Sequence, residues 1–128
     1  MGIRTELNLR LPNSPGALAG VCQLLADERV TIIAIALNVG GQLHLIVDNP
    51  IKATGVLRDR HHQVKTQDVL FVATGKNPDA LAPVLALVAD AGVNVNYAYS
   101  AGGEAGAGGA ATVLGVDDAQ RVSAATGL

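Results

Sequence analysis

NSPGALAGVCQLLADERVTIIAI (residues 13–35) and NPDALAPVLALVADAGVNVNYA (residues 77–98) are one phrase written twice. With the chain shifted by 63 residues, nine of the sixteen positions from 15 to 30 recur: Pro15/Pro78, Ala17/Ala80, Leu18/Leu81, Ala19/Ala82, Val21/Val84, Leu24/Leu87, Ala26/Ala89, Asp27/Asp90 and Val30/Val93. Shared helix composition accounts for some of these matches, but the frame from proline to valine is harder to attribute to chance. An internal repeat sets the architecture of the whole chain.

Each phrase reads as a helix running into a strand. Ser14 and Asn77 occupy the N-cap position, and Pro15 and Pro78 the first helical position, where proline forfeits no hydrogen bond. Leu18, Val21, Leu24 and Leu25 recur at helical spacing, as do Leu81, Val84, Leu85 and Val88. Pro83 lies close enough to the first turn to do little damage. Gly92 suits a left-handed C-terminal cap.

A strand precedes each helix. IRTELNLRL (3–11) alternates, with Ile3, Leu7, Leu9 and Leu11 on one face and Arg4, Glu6, Asn8 and Arg10 on the other. DVLFVAT (68–74) is apolar on both faces. After the helix TIIAIALNV turns at Gly40-Gly41 into QLHLIV, and VNVNYAYS passes through a glycine-rich loop into AATVLGV. In VNVNYAYS strict alternation puts Val93, Val95, Tyr97 and Tyr99 on one side and Asn94, Asn96, Ala98 and Ser100 on the other.

A second helix from about Asp48 to Arg60 and a short strand QVKT complete a βαββαβ unit in the first half. In the second half VDD (116–118) matches VDN (47–49) at an offset of 69, the six extra residues belonging to the glycine loop. That copy stops inside its second helix, so its last strand is absent. Only Gln67 separates QVKT from DVLFVAT, which makes the two sheets neighbours, with one long bent strand as a way to join them. The fold class is α+β: two tandem ferredoxin-like units, residues 1–66 and 67–128, the second incomplete.

The composition fits this reading. The chain is 49% hydrophobic and 16% charged, enough to bury a core. Phe71, Tyr97 and Tyr99 are the only aromatics, so Ala, Val and Leu must build it. A net charge of −2 and the lack of a basic stripe argue against nucleic acid. Through Thr66 there are seven basic and five acidic residues, and from Gln67 two and six, so the halves carry opposite charge; either they attract weakly, within the chain or across a dimer, or they are two solvated surfaces of chance composition. Cys22 is the only cysteine and falls on an apolar stripe, which suits a buried structural thiol and excludes an intrachain disulfide. No apolar run reaches membrane-spanning length and the N-terminus lacks a signal peptide's apolar stretch, so a soluble cytoplasmic protein without membrane contact is expected.

A βαββαβ unit with N-x-P-G or N-P at its first strand-to-helix turn, then L-A-x-V…L-A and G-V-N-V, resembles the ACT domain, a ferredoxin-like regulatory module that commonly binds amino acids. The resemblance covers nearly the whole chain as two copies in register. With NYAYS (96–100) after the second copy's helix, the chain also looks like the short standalone tandem-ACT proteins that lack an attached enzyme. In that family the turn and the start of the second strand form the effector site. This implies Asn13, Ser14, Pro15, Gly16 and Ala17 with Thr31 and Ile32 in copy one, and Asn77, Pro78, Asp79 and Ala80 with Asn94 and Val95 in copy two.

The physical chemistry of those turns agrees. Free N–H groups at a helix start make a place for a carboxylate. Glycine at 16 lets a ligand approach the backbone, whereas Asp79 brings its own carboxylate, which repels a ligand carboxylate and accepts an ammonium. The alternative is that both turns merely cap helices.

Other chemistry finds little support. SAGGEAGAGGA leads into a strand with no lysine after it, so it reads as a mobile hairpin loop rather than a phosphate cradle. His44, on the polar face of a strand, and the adjacent pair His61 and His62 have no Cys or carboxylate at ligand spacing, so no metal is expected. No G-x-S-x-G or Ser/His/Asp set points to catalysis, and no cofactor is implied. Glu6, Asn8 and Arg10 share a face that reads as solvated.

Without a last strand in copy two, DVLFVAT becomes a bare apolar sheet edge. It must be covered by QVKT or by another chain, and a homodimer with strand or sheet pairing is expected. The reading is a non-catalytic sensor in amino-acid metabolism: an amino-acid effector biases a partner enzyme or regulator. Two other classes stay open. An assembly subunit would bind no small molecule; a small ferredoxin-like enzyme would need a convergent polar pocket that the sequence does not display.

Overall fold

The computed structural model describes residues 2–75, 79–101 and 110–126. Their order is β1 (Gly2–Arg10), α1 (Ala17–Asp27), β2 (Ile32–Leu37), β3 (Gln42–Val47), α2 (Pro50–Asp59), β4 (Lys65–Gly75), α3 (Leu81–Asp90), β5 (Val95–Ala101), β6 (Ala110–Val116) and α4 (Ala119–Thr126). QVKT and DVLFVAT thus belong to a single strand from Lys65 onward. Two compact units result: Thr5–Gln67, and Met1–Arg4 together with Asp68–Leu128.

In the unit Thr5–Gln67 the strands run β2-β3-β1, with the start of β4 beside β1. Its core joins Leu7, Leu9, Leu43, Leu45 and Val47 of the sheet to Val21 and Leu25 of α1 and Ala53 and Leu57 of α2. The other unit runs β4-β6-β5. There Leu70, Val72, Leu114 and Val116 pack under Val88 of α3 and Ala119 and Val122 of α4.

The repeat holds at the level of register. β1 and β3 pair antiparallel as Leu7↔Leu45, Asn8↔His44 and Leu9↔Leu43. β4 and β6 pair as Leu70↔Leu114, Phe71↔Val113 and Val72↔Thr112, each residue displaced by the two offsets of the sequence repeat. The bulge is repeated too: the register slips between Ile32 and Ala34 in one copy and between Val95 and Tyr97 in the other.

That bulge corrects the face assignment of VNVNYAYS. Val93 and Val95 reach the helix-side core with Leu114 and Val116. Beyond the bulge Tyr97 stands opposite Gly115 and Tyr99 opposite Val113, on the other face of the sheet. One extra residue flips every later side chain, which uninterrupted alternation cannot foresee.

Among the described residues no strand follows α4, yet β4 is no bare edge. Within that unit Gly2–Arg4, the start of β1, occupies the place beside β4. Ile3 packs against the unit's core, and the Arg4 guanidinium sits 4.6 Å above the Phe71 ring. IRTELNLRL, read as one strand of one copy, serves both units. The edge argument for a second chain therefore falls away.

Three helices end in the same way. The N–H of Arg29 reaches Ala26 and that of Val30 reaches Leu25; His61 and His62 repeat this with Arg58 and Leu57, and Gly92 and Val93 with Ala89 and Val88. Each pairing satisfies the last carbonyls through a left-handed residue. That residue is glycine only at Gly92 (φ 73), while Arg29 (φ 60) and His61 (φ 71) adopt it as non-glycines.

Two packing expectations change. Leu85 and Leu87 are 37% and 40% exposed, so α3 holds its core through Val84 and Val88 rather than through Leu85. Cys22 is half-buried rather than buried.

Candidate functional site

The helix start of copy one is not capped as its sequence suggests. Ser14 and Pro15 lie outside α1, which begins at Ala17 with Gly16 as N-cap. The Ala17 N–H donates to the Ser14 carbonyl at 3.3 Å, and Gly16 has φ 83 and ψ −4. Proline followed by a left-handed glycine inside such a four-residue turn is the pattern of a type II turn. The turn takes Ser14 and Pro15 for itself, so neither can cap the helix, and no side chain does so. With the Ala17 N–H taken by Ser14, the N–H groups of Leu18 and Ala19 are those left without a partner within the helix.

Those groups face a hollow of about 320 Å³ lined by Asn13, Ser14, Gly16, Ala17, Leu18 and Ala19 on one side and Leu37–Gly41 on the other, with Leu11 and Pro12 at its base. A Cβ added at Gly16 would meet nothing within 4 Å, so the backbone there is open to an approaching molecule. The far wall is built tightly. Asn38 accepts from the N–H groups of Gln42 and Gly41, and Leu11 N–H donates to Gly41 O at 2.8 Å. Gly41 has φ 82, and a Cβ there would stand 2.5 Å from the Leu11 carbonyl oxygen.

Thr31 and Ile32 are not brought to this hollow. They follow the far end of α1, whose 11 residues span about 16 Å. Thr31 closes a reciprocal pair there, its N–H donating to Asp48 Oδ1 at 3.0 Å while its carbonyl accepts from Asp48 N–H. Pro15 does not line the hollow either.

In copy two Asn77 and Pro78 lie outside the described residues, as does most of the glycine loop. Asp79 is exposed, and Ala80 is the N-cap of α3 in an ordinary right-handed conformation (φ −71). The N-cap of α3 is thus right-handed where that of α1, Gly16, is left-handed. Asn94 donates to Asn96, which donates to Asp117 at 2.6 Å. Asn94 and Val95 again sit at the far end of their helix from Asp79 and Ala80.

The face read as solvated holds a buried polar group. Glu6 is fully buried, His44 Nδ1 lies 3.2 Å from its Oε1, and Gln67 Nε2 donates to the same oxygen at 3.1 Å. The alternation of IRTELNLRL places Glu6 on the right face but does not reveal that this face is covered. In copy two the matching positions are Val69 and Val113, both fully buried, and that substitution was the signal available in the sequence.

A second hollow, of about 580 Å³, is lined by Asn8, Leu9, Arg10, Pro12, Gln42, His61, His62, Gln63 and Lys65. Sequence reasoning took His61 and His62 as a helix end and did not bring Arg10 or Lys65 to them. Among the described residues no group of three or more His, Cys, Asp or Glu is placed to hold a metal. No described helix is long and apolar enough to cross a membrane.

A family model described as an ACT domain pair matches residues 1–124. Among solved structures, the chain is similar to a protein from Bacteroides thetaiotaomicron at 30% identity and a TM-score of 0.80, with 98% of this chain and 87% of that one covered. The regulatory subunit of aspartate kinase from Thermus thermophilus, in a ligand-free form, shares 18% identity and a TM-score of 0.63 over 98% and 93%. E. coli aspartokinase III in complex with lysine and aspartate shares 16% and a TM-score of 0.55 over 98% of this chain and 31% of that one. No curated protein matches the sequence.

Proposed function

The chain belongs to the ACT domain pair family, and from that premise we propose that it is a non-catalytic amino-acid sensor of amino-acid metabolism. The observation that carries this is the uncapped start of α1, which opens through Gly16 onto the hollow of about 320 Å³. That volume is at the small end of ligand sites, which suits a free amino acid. A ligand carboxylate would accept from the first N–H groups of α1. The dipole there contributes only about 0.3–1 kcal/mol for an exposed anion, so the walls must supply the rest. The family's named neighbours support the ligand class: one is a regulatory subunit of aspartate kinase, another an aspartokinase in complex with lysine and aspartate.

In this reading residues 1–66 and 67–128 are two ACT modules. The ligand residues are Asn13, Ser14, Pro15, Gly16 and Ala17 with Thr31 and Ile32, and their counterparts Asn77, Pro78, Asp79 and Ala80 with Asn94 and Val95. Thr31 and Ile32 cannot reach the same ligand as Gly16 within one unit, so they act in it only from a second chain. A homodimer supplies that. The observation in its favour is β2, at the end of its unit's strand order, where Ile35 and Leu37 are 40% and 45% exposed, with the fully exposed Val39 in the turn that follows. Leu37 and Val39 also line the hollow, so in this reading the ligand sits at the edge of that apolar strip. Effector binding then favours one arrangement of the dimer and through it a partner enzyme or regulator in the cytoplasm.

A thermal-shift screen of the free amino acids, followed by calorimetry on those that act, tests the reading. A saturable rise in melting temperature with one or two amino acids supports it. The absence of any shift across the set refutes a sensor and leaves the assembly subunit. Sedimentation showing a monomer at micromolar concentration refutes the homodimer.

A further inference from the structure

The larger hollow in the unit Thr5–Gln67 is a cationic site that the sensor reading does not use. It collects Arg10, Lys65, His61 and His62 with the amides of Asn8, Gln42 and Gln63, and no carboxylate lines it. This is a separate chemical environment from the turn at Gly16, although Pro12 lines both hollows.

The site is assembled from both ends of the unit's fold. Asn8 and Arg10 stand two apart on β1, and Gln42 is the cross-strand partner of Arg10. Arg10 is held in place, with Nη1 donating to Gly40 O at 2.6 Å. The opposite rim, residues 61–65, is pinned from behind. Arg58 Nη2 donates to Val64 O at 2.9 Å, Val64 is buried, and the His62 N–H donates to Leu57 O. His61 keeps φ 71 on that rim, a left-handed conformation that a side chain other than glycine adopts only at a cost. Glu6, the carboxylate on the same strand face, is bonded to His44 and Gln67 and does not line the hollow.

We propose that this hollow binds the phosphate group of a small phosphorylated molecule. Arg10 offers a planar fork to phosphate oxygens, Lys65 a compact charge, and the imidazole N–H groups further donors. The three amides are left to hydrogen-bond the neutral remainder of the molecule. A volume of about 580 Å³ exceeds what a bare phosphate fills, so the phosphate is one end of a larger ligand.

The probe is inorganic phosphate, titrated into the 15N-labelled full chain at constant ionic strength, with chloride as the balancing salt. The expected result is saturable shifts of the amides of Arg10, Gln42, His61, His62 and Lys65. The double variant Arg10→Gln/Lys65→Gln should weaken binding about tenfold or more, and Lys65→Gln alone covers the case in which the double variant folds poorly. The same saturation should persist in Gly16→Asp, which separates this site from the sensor reading. Shifts that never saturate, that centre on Leu18 and Ala19 at the start of α1, or that survive unchanged in the variants overturn the proposal. Repeating the titration with a nucleoside monophosphate, a sugar phosphate and a phosphorylated amino acid then identifies the remainder. An affinity no better than that of inorganic phosphate for all three overturns the larger ligand.

Discussion

The ring of Tyr97 lies across the backbone of Gly115, its cross-strand partner, so closely that a Cβ on the glycine would fall among the ring atoms. At the matching pair in the first copy the sizes are reversed: Ala34 stands opposite Ile46, both buried. A large residue faces a small one in each copy, from opposite strands, immediately after the same bulge. Large–small complementarity is what keeps a packed face at native density. The prediction is that Gly115→Ile destabilises by about 1–3 kcal/mol through overpacking. Adding Tyr97→Ala, which recreates the first copy's pair, should recover most of that loss. Chemical denaturation of the single and double variants measures it. Because Tyr97 stacks on Tyr99 at 6.3 Å and these are the only tyrosines, near-ultraviolet dichroism reports the displacement directly.

The buried group at Glu6 follows the same logic with polarity in place of size. Glu6→Val removes the acceptor that His44 and Gln67 share, and should cost about 1–3 kcal/mol, chiefly for the buried His44 donor, since Gln67 is exposed. The double variant Glu6→Val/His44→Val copies Val69 and Val113 of the second unit. It should be less destabilised than Glu6→Val alone, because replacing both partners by apolar groups avoids the orphaned donor. A double-mutant cycle in urea tests this, and a double variant as unstable as Glu6→Val alone, or more so, would refute it.

These two sites show what the sequence made legible. The nine identities fixed the two helices, and with them the tandem ACT pattern and the order of strands. Periodicity could not see the bulges at Ile32/Ala34 and Val95/Tyr97, because a bulge is one residue that fails to pair rather than a residue type. Nor could it see that Gly2–Arg4 serves the second unit, since strand sharing depends on spatial neighbours and leaves the alternation of β1 unchanged. The cationic hollow was out of reach for a related reason: Arg10 and Lys65 are 55 residues apart in sequence. The turn at Gly16 was found, but its mechanism was misread, because Ser-Pro satisfies the rules for a helix cap and for a type II turn equally well until the glycine's φ is known.

Arg29 and Gly92 occupy matching positions after their helices, and both are left-handed. A non-glycine side chain in that region costs about 1–2 kcal/mol, offset in glycine by roughly 0.5–1 kcal/mol of extra unfolded-state entropy. Arg29→Gly should therefore stabilise by about 0.5–1 kcal/mol, a rise of about 3 °C in melting temperature by calorimetry. Gly92→Arg should do the opposite. Arg29 is exposed and does not line the hollow at Gly16, so ligand binding should be unaffected in the first variant.

Gly16 and Asp79 differ because their helices begin differently, and this sharpens what substitution there should do. Gly16 carries φ 83 as the N-cap of α1, whereas the N-cap of α3 is Ala80 at φ −71. Asparagine and aspartate tolerate the left-handed region better than most residues, so Gly16→Asn and Gly16→Asp should both fold. Asparagine tests the loss of close backbone approach, and aspartate adds a charge on the uncapped helix start. If an amino-acid carboxylate binds the first N–H groups of α1, Gly16→Asp should bind it about tenfold more weakly than Gly16→Asn, since 1.4 kcal/mol of lost dipole and added repulsion is a factor of ten. Raising the salt concentration should narrow that gap, because the charges are exposed. Asp79→Gly removes the corresponding charge in copy two. Calorimetry should then show a changed affinity or stoichiometry if both turns bind, and an unchanged titration would assign the binding to the Gly16 turn alone.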